Sequence, residues 1–190
     1  MIIILFPVIT KVPETIKALN GKKTVSALSR LARESAGQSA AKSTYEVTAF
    51  EKDALGVPKP SNGICWSVSH KPDFVAGVVS KQKVGIDLEK VKTVSDALFE
   101  RIVDPDEGVQ FKDQDRQIVF FRVFTAKEAV LKKTSDGIKG LSKVKIKTVV
   151  DDKNLIVQYL DKKYLVENFY FDGYLASVTK DDFDVQWTLG

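Results

Sequence analysis

Apolar residues follow two rhythms along this chain, one with the spacing of helices and one with the spacing of strands. Residues Ile2 to Ile9 form an apolar run that predicts a buried strand, closed by Lys11-Val12-Pro13. From Thr24 to about Ser35, Val25, Leu28, Leu31 and Ala32 recur at helical spacing, with Arg30 and Arg33 on the other faces. Gly56-Val57-Pro58-Lys59-Pro60-Ser61-Asn62-Gly63 reads as a loop from its breakers. Three strand-like runs follow, Ile64 to Ser69, Phe74 to Ser80 and Val84 to Glu89, the last two predicted to form a hairpin around Lys81-Gln82-Lys83. Helices are predicted at Ser95 to Val103, from Pro105 onward, and from about Arg116 to Lys133, the last stopping before Gly137. Four more strands are expected at Val144 to Val150, Leu155 to Leu160, Tyr164 to Phe171 and Tyr174 to Thr179. Strands and helices spread over two comparable portions predict an α+β protein.

Composition narrows this picture. With 190 residues, 44% hydrophobic and 28% charged, the chain can bury a sizeable core and has a globular rather than disordered balance. The apolar opening from Met1 to Ile9 is far below the roughly 20 residues that cross a bilayer, and no basic segment precedes it. Neither a membrane partner nor a secretory leader is therefore expected. One cysteine, Cys65, allows no internal disulfide and fits a reducing, cytoplasmic setting. With one Cys and one His, a zinc site cannot be built from these ligands alone. The net charge of +4 favours acidic partners, but basic residues do not cluster in a block, so a nucleic-acid tail is not indicated.

Candidate chemistry begins at Val84-Gly85-Ile86-Asp87-Leu88-Glu89. Strand alternation puts Val84, Ile86 and Leu88 on one face and both carboxylates on the other. A solvated strand face would explain this pair, but adjacent like charges repel unless a cation neutralises them. On the long helix, Phe121, Phe124 and Leu131 lie within roughly 60° of Glu128, and Lys132 follows one turn later. An exposed Glu–Lys pair at this spacing contributes only about 0.3–0.5 kcal/mol and does not explain a place among phenylalanines. Read together, Asp87, Glu89 and Glu128 form an oxygen site suited to Mg²⁺. The sole histidine, His70, follows Ser67-Val68-Ser69 at a strand end, where hydroxyls, imidazole and Lys71 can reach a phosphate. Cys65 and Trp66 are expected to pack in the core.

Three blocks carry a family resemblance: Trp66-Ser67-Val68-Ser69-His70, then Val84 to Lys90, then Phe120-Phe121-Arg122-Val123-Phe124-Thr125-Ala126-Lys127-Glu128-Ala129-Val130-Leu131-Lys132. In this order, with 17 residues from His70 to Asp87 and 39 from Glu89 to Glu128, they resemble the 4'-phosphopantetheinyl transferases of the larger, surfactin-synthetase-type branch. The resemblance implies two similar α+β halves around a pseudo-twofold axis, here residues 1–82 and 83–190, in a monomer with the site between them. It implies transfer of phosphopantetheine from coenzyme A to a serine of an apo acyl or peptidyl carrier protein, with release of adenosine 3',5'-bisphosphate. Asp87, Glu89 and Glu128 would hold Mg²⁺. Lys132 and Lys127 would contact phosphate oxygens, and His70, Ser69 and Lys71 would lie near the nucleotide's 3'-phosphate, with Arg30 and Arg33 as further candidates. Glu107, Lys132 or a metal-bound hydroxide could take the serine proton. Lys90, Lys92 and Lys112 are candidates to steer an acidic carrier, and Phe99 or Phe111 to offer it an apolar contact.

Departures from the family pattern are visible. Its G-K-P reads Gly56-Val57-Pro58, with Lys59 the expected replacement for the missing lysine. The helix tryptophan is Phe124, and Lys71-Pro72 follows His70 where a glycine-containing turn is usual. A noncatalytic protein of the same fold that binds coenzyme A or a carrier is the alternative reading. A basic nucleic-acid module is a third, though without a recognised motif.

Overall fold

A computed structural model describes residues 3–190. In chain order its elements begin with the short strands β1 (Ile4–Leu5) and β2 (Val8–Lys11), helix α1 (Glu14–Lys17) and the long helix α2 (Lys22–Lys42). The expected opening strand is broken at Pro7, and its first residue, Ile2, lies outside the described residues. Next come β3 (Cys65–His70), β4 (Phe74–Ser80), β5 (Ile86–Lys90), α3 (Asp96–Ile102) and α4 (Pro105–Gly108). Helix α5 (Arg116–Thr134) is followed by β6 (Val144–Val149), β7 (Asn154–Tyr159), β8 (Lys162–Phe171) and β9 (Tyr174–Thr179). The tail adds β10 (Asp184–Val185) and β11 (Thr188–Leu189).

The strands form two main sheets, each covered by one long helix, so the α+β class holds. The first sheet runs β11-β2-β4-β3 and the second β5-β9-β8-β7-β6. In α2 the buried stripe Ala27, Leu28, Ala32, Ala36 and Ala40 is made of small residues, so the helix lies close on the sheet. A Cβ on Gly77 of β4 would collide with the backbone of Ala32 and Ala36. The second half repeats this contact: a Cβ on Gly85 would collide with the carbonyl of Ala129 in α5. Helix α5 starts at Asp115, whose carboxylate accepts from the amides of Gln117 and Ile118, and ends at Ser135 in the left-handed region, φ 68°.

One predicted pairing is corrected. The β4–β5 hairpin does not form, because both edges of β4 are taken, by β2 on one side and β3 on the other. The hairpin is instead β3–β4, turning at Lys71-Pro72-Asp73, while β5 pairs antiparallel with β9. The tail also crosses the expected division at residues 82 and 83, for β10 pairs with β1 and β11 with β2, both parallel. The sheets meet where β3, an edge of the first, lies against β5, an edge of the second. Side chains stitch this seam: Ser67 Oγ accepts from the Ile86 amide at 3.1 Å, and Ser69 Oγ donates to Asp87 Oδ1 at 3.0 Å.

Candidate active site

The seam between β3 and β5 is where the candidate residues gather. Lys132, projecting from α5, donates to the Val68 carbonyl at 3.2 Å, the Ile86 carbonyl at 3.0 Å and Asp87 Oδ1 at 2.8 Å, so one ammonium ties helix and both sheets together. Asp87 is buried, and its Oδ1 is satisfied by Ser69 and Lys132, yet Oδ2 has no partner. Glu128 Oε1 is likewise buried without a partner. Two buried carboxylate oxygens without partners are costly unless a cation completes them. Burial, then Asp87, pushes the Glu128 carboxyl above its ordinary value. Glu89 is also pushed up, chiefly by burial, and its Oε1 is held by Lys71 at 2.7 Å.

The donor chemistry therefore fits a hard divalent cation at Asp87 and Glu128, with oxygen ligands only. Glu89 is committed to Lys71, and among the described residues no group of three or more Asp, Glu, His or Cys stands assembled for a metal. The three-carboxylate grouping expected from sequence is thus present in position but not drawn together.

Beside the carboxylates lies a patch of cations. His70 is half-buried, and its pKa is lowered by burial and then by Lys132, Lys52 and Lys71, which leaves the imidazole neutral at pH 7. Lys52 is lowered by burial, then by Arg33 and Lys132. Arg33 has a buried Nε without a hydrogen-bond partner. A cleft of about 550 Å³ joins both regions, lined by Lys52, Val57, Pro58, Ser67, Glu128 and Lys132 among others. Lys52 was not anticipated: a loop lysine 18 residues before His70 shows no pattern that would single it out. Lys59, the expected stand-in for the missing lysine, does not line this cleft, and its carbonyl accepts from Trp66 Nε1 at 2.8 Å.

Four candidates lie away from the seam. Lys127 points away from the seam and donates to Glu107 Oε2 at 2.7 Å and to the Ile102 carbonyl at 2.8 Å. Glu107 closes a capping box at Asp104 and also accepts from the Ile146 amide at 2.7 Å, so both its oxygens are occupied. These two form a buried pair that fastens α4 to α5 and β6, apart from the seam. Arg30 is exposed beside Glu34. Phe111, offered as an apolar contact, is 1% exposed in the core. Cys65 is half-buried with its thiol pushed up by burial, consistent with packing.

Two α+β regions thus meet edge to edge, and their seam carries buried carboxylate oxygens without partners beside a group of cationic side chains. The sequence pattern of the 4'-phosphopantetheinyl transferase superfamily matches residues 83–183, and the chain belongs to that superfamily. It is similar to the 4'-phosphopantetheinyl transferase HetI of Nostoc sp., 35% identical over 101 residues, covering 50% of this chain and 43% of the relative. It is also similar to the 4'-phosphopantetheinyl transferase psf-1 of Bacillus pumilus, 34% identical over 99 residues, covering 49% and 42%. The match to the 4'-phosphopantetheinyl transferase gsp of Aneurinibacillus migulanus is 28% identical over 137 residues, covering 67% and 56%. The chain spans about half the length of the curated relatives it matches.

Proposed function

We propose that this protein transfers the 4'-phosphopantetheine arm of coenzyme A to a serine of an apo acyl or peptidyl carrier protein. The observation that carries the reading is the pair of buried, unpartnered oxygens on Asp87 and Glu128, set beside a cleft lined by Lys52 and Lys132. The carrier's serine Oγ would form a bond to the pantetheine-side phosphorus while the bond to adenosine 3',5'-bisphosphate breaks. Mg²⁺, when held by Asp87 and Glu128 with Glu89, supplies charge neutralisation on the diphosphate. Lys132 would meet a diphosphate oxygen by exchanging one of its three present acceptors for it. Glu128 would take the serine proton on the oxygen that it does not give to the metal. His70, Lys52 and Arg33 would receive the nucleotide's 3'-phosphate, His70 as a neutral N–H donor.

The matched plan of the two halves, each with a long helix pressed on a sheet glycine, supports the expected pseudo-twofold relation. Both halves lie in one chain and meet through Ser69 and Asp87, so the seam forms without a second copy, which supports action as a monomer. No helix among the described residues is long and apolar enough to cross a membrane.

The test is to incubate the protein with coenzyme A, Mg²⁺ and a panel of apo carriers and to weigh each carrier. A gain of one phosphopantetheine is expected on at least one. Binding of coenzyme A with no gain on any carrier would sink the transferase reading in favour of a noncatalytic binding protein.

A further inference from the structure

Of the three acidic residues at the seam, Glu89 alone has a lysine of the β3–β4 turn as its partner. Lys71 Nζ sits 2.7 Å from Glu89 Oε1, the side chains being 32% and 20% exposed. Asp87 and Glu128 each keep a buried oxygen without a partner, so the seam needs more positive charge than its lysines provide. Lys71 thus neutralises the third carboxylate of the seam.

The backbone at this turn is fixed. Lys71 precedes Pro72, which restricts it to extended conformations, and its amide donates to the Phe74 carbonyl at 2.8 Å. Only the four-carbon side chain is free to swing. Its charge also reaches His70 and Glu128, so an ammonium released from Glu89 stays within the cationic patch.

We propose that Lys71 is a positioning residue that acts through Glu89. Its ammonium and a divalent cation compete for that carboxylate, so loading the metal and freeing Lys71 for an anionic substrate are one event. This rests on the metal-centre reading above and adds a coupling to it. By linkage, an anion that captures Lys71 tightens metal binding by the same factor by which metal tightens the anion.

Metal affinity itself reads this out, by calorimetry with Mg²⁺ and by the electron paramagnetic resonance of Mn²⁺, on the protein without coenzyme A. Lys71→Met should bind metal about three- to fivefold more tightly, the upper part of the range for losing a partly exposed competing ion pair. Lys71→Arg should restore the weaker affinity, and Glu89→Gln should weaken binding. The decisive variant carries both Lys71→Met and Glu89→Gln. If the competition is for Glu89, removing Lys71 in that background should change affinity less than twofold. An equal gain in both backgrounds would reduce Lys71 to a general electrostatic influence and overturn the proposal. Weaker binding by Lys71→Met would also overturn it. Failure of every variant, wild type included, to bind either metal at millimolar concentration would overturn the metal centre and the competition with it. Because both side chains are partly exposed, the variants should fold, and melting in chelator verifies this.

Discussion

Replacing Lys127 by Met should cost about 3–5 kcal/mol of stability, because it strands a buried anion. Lys127 and Glu107 are 4% and 3% exposed at the side chain. In the intact protein Glu107 receives three donors, the ammonium of Lys127 and the amides of Asp104 and Ile146. The variant keeps the two amides, which lessen but do not cancel the cost of an ionised carboxylate away from water. Such a loss is a large part of the roughly 5–15 kcal/mol by which domains are stable. Equilibrium unfolding in urea at pH 7 measures it directly. Adding Glu107→Gln to Lys127→Met should recover at least about 1.5 kcal/mol, since the stranded charge is then gone. Agreement of Lys127→Met with wild type to within about 0.5 kcal/mol would refute the structural role. A weakened affinity for coenzyme A with stability unchanged would return Lys127 to the phosphate contacts implied by the family pattern.

Two more outcomes follow from the surroundings of the site. Asp73 accepts from Tyr174, Lys90 and Lys17, and these hold its carboxyl down at about 2, the Tyr174 hydrogen bond contributing most. A depressed carboxyl stabilises the fold above its unfolded value near 4 and loses that contribution as pH falls toward 2. Asp73→Asn should therefore lower stability by about 1 kcal/mol at pH 7, after allowance for solvent screening, and match wild type near pH 2 in thermal melts. Lys52→Ala should weaken calorimetric binding of coenzyme A by roughly fivefold, while Lys59→Ala should change it less than twofold; the reverse order would place the substitute lysine at Lys59.

How far the sequence could be read depended on the range of the interaction. Helix α5 and strand β4 were legible because their periodicity and end signals are local. The facing of Asp87 and Glu89 followed from strand alternation, and Glu128 from helical geometry. Lys127 adjoins Glu128 in sequence but lies about 100° around the helix, where it meets α4 rather than β5, a placement that spacing alone did not give. The hairpin expected at Lys81 to Lys83 failed because competition for the edges of β4 is settled by β2, far away in the chain. Lys52 was invisible for a similar reason: its importance comes from loop residues folding over β3, which no spacing rule records.

The parallel pairing of Val8 with Thr188 sets the order in which this protein can finish folding. During synthesis β2 emerges early, and its outer edge stays unpaired until the segment holding β11 leaves the ribosome. Until then an apolar strand presents free amides and carbonyls to any other extended chain, the arrangement that invites aggregation. The docking of β11 on β2 therefore waits for all of the chain between them. Premature truncation, heat shock or slow translation should do their damage at that open edge.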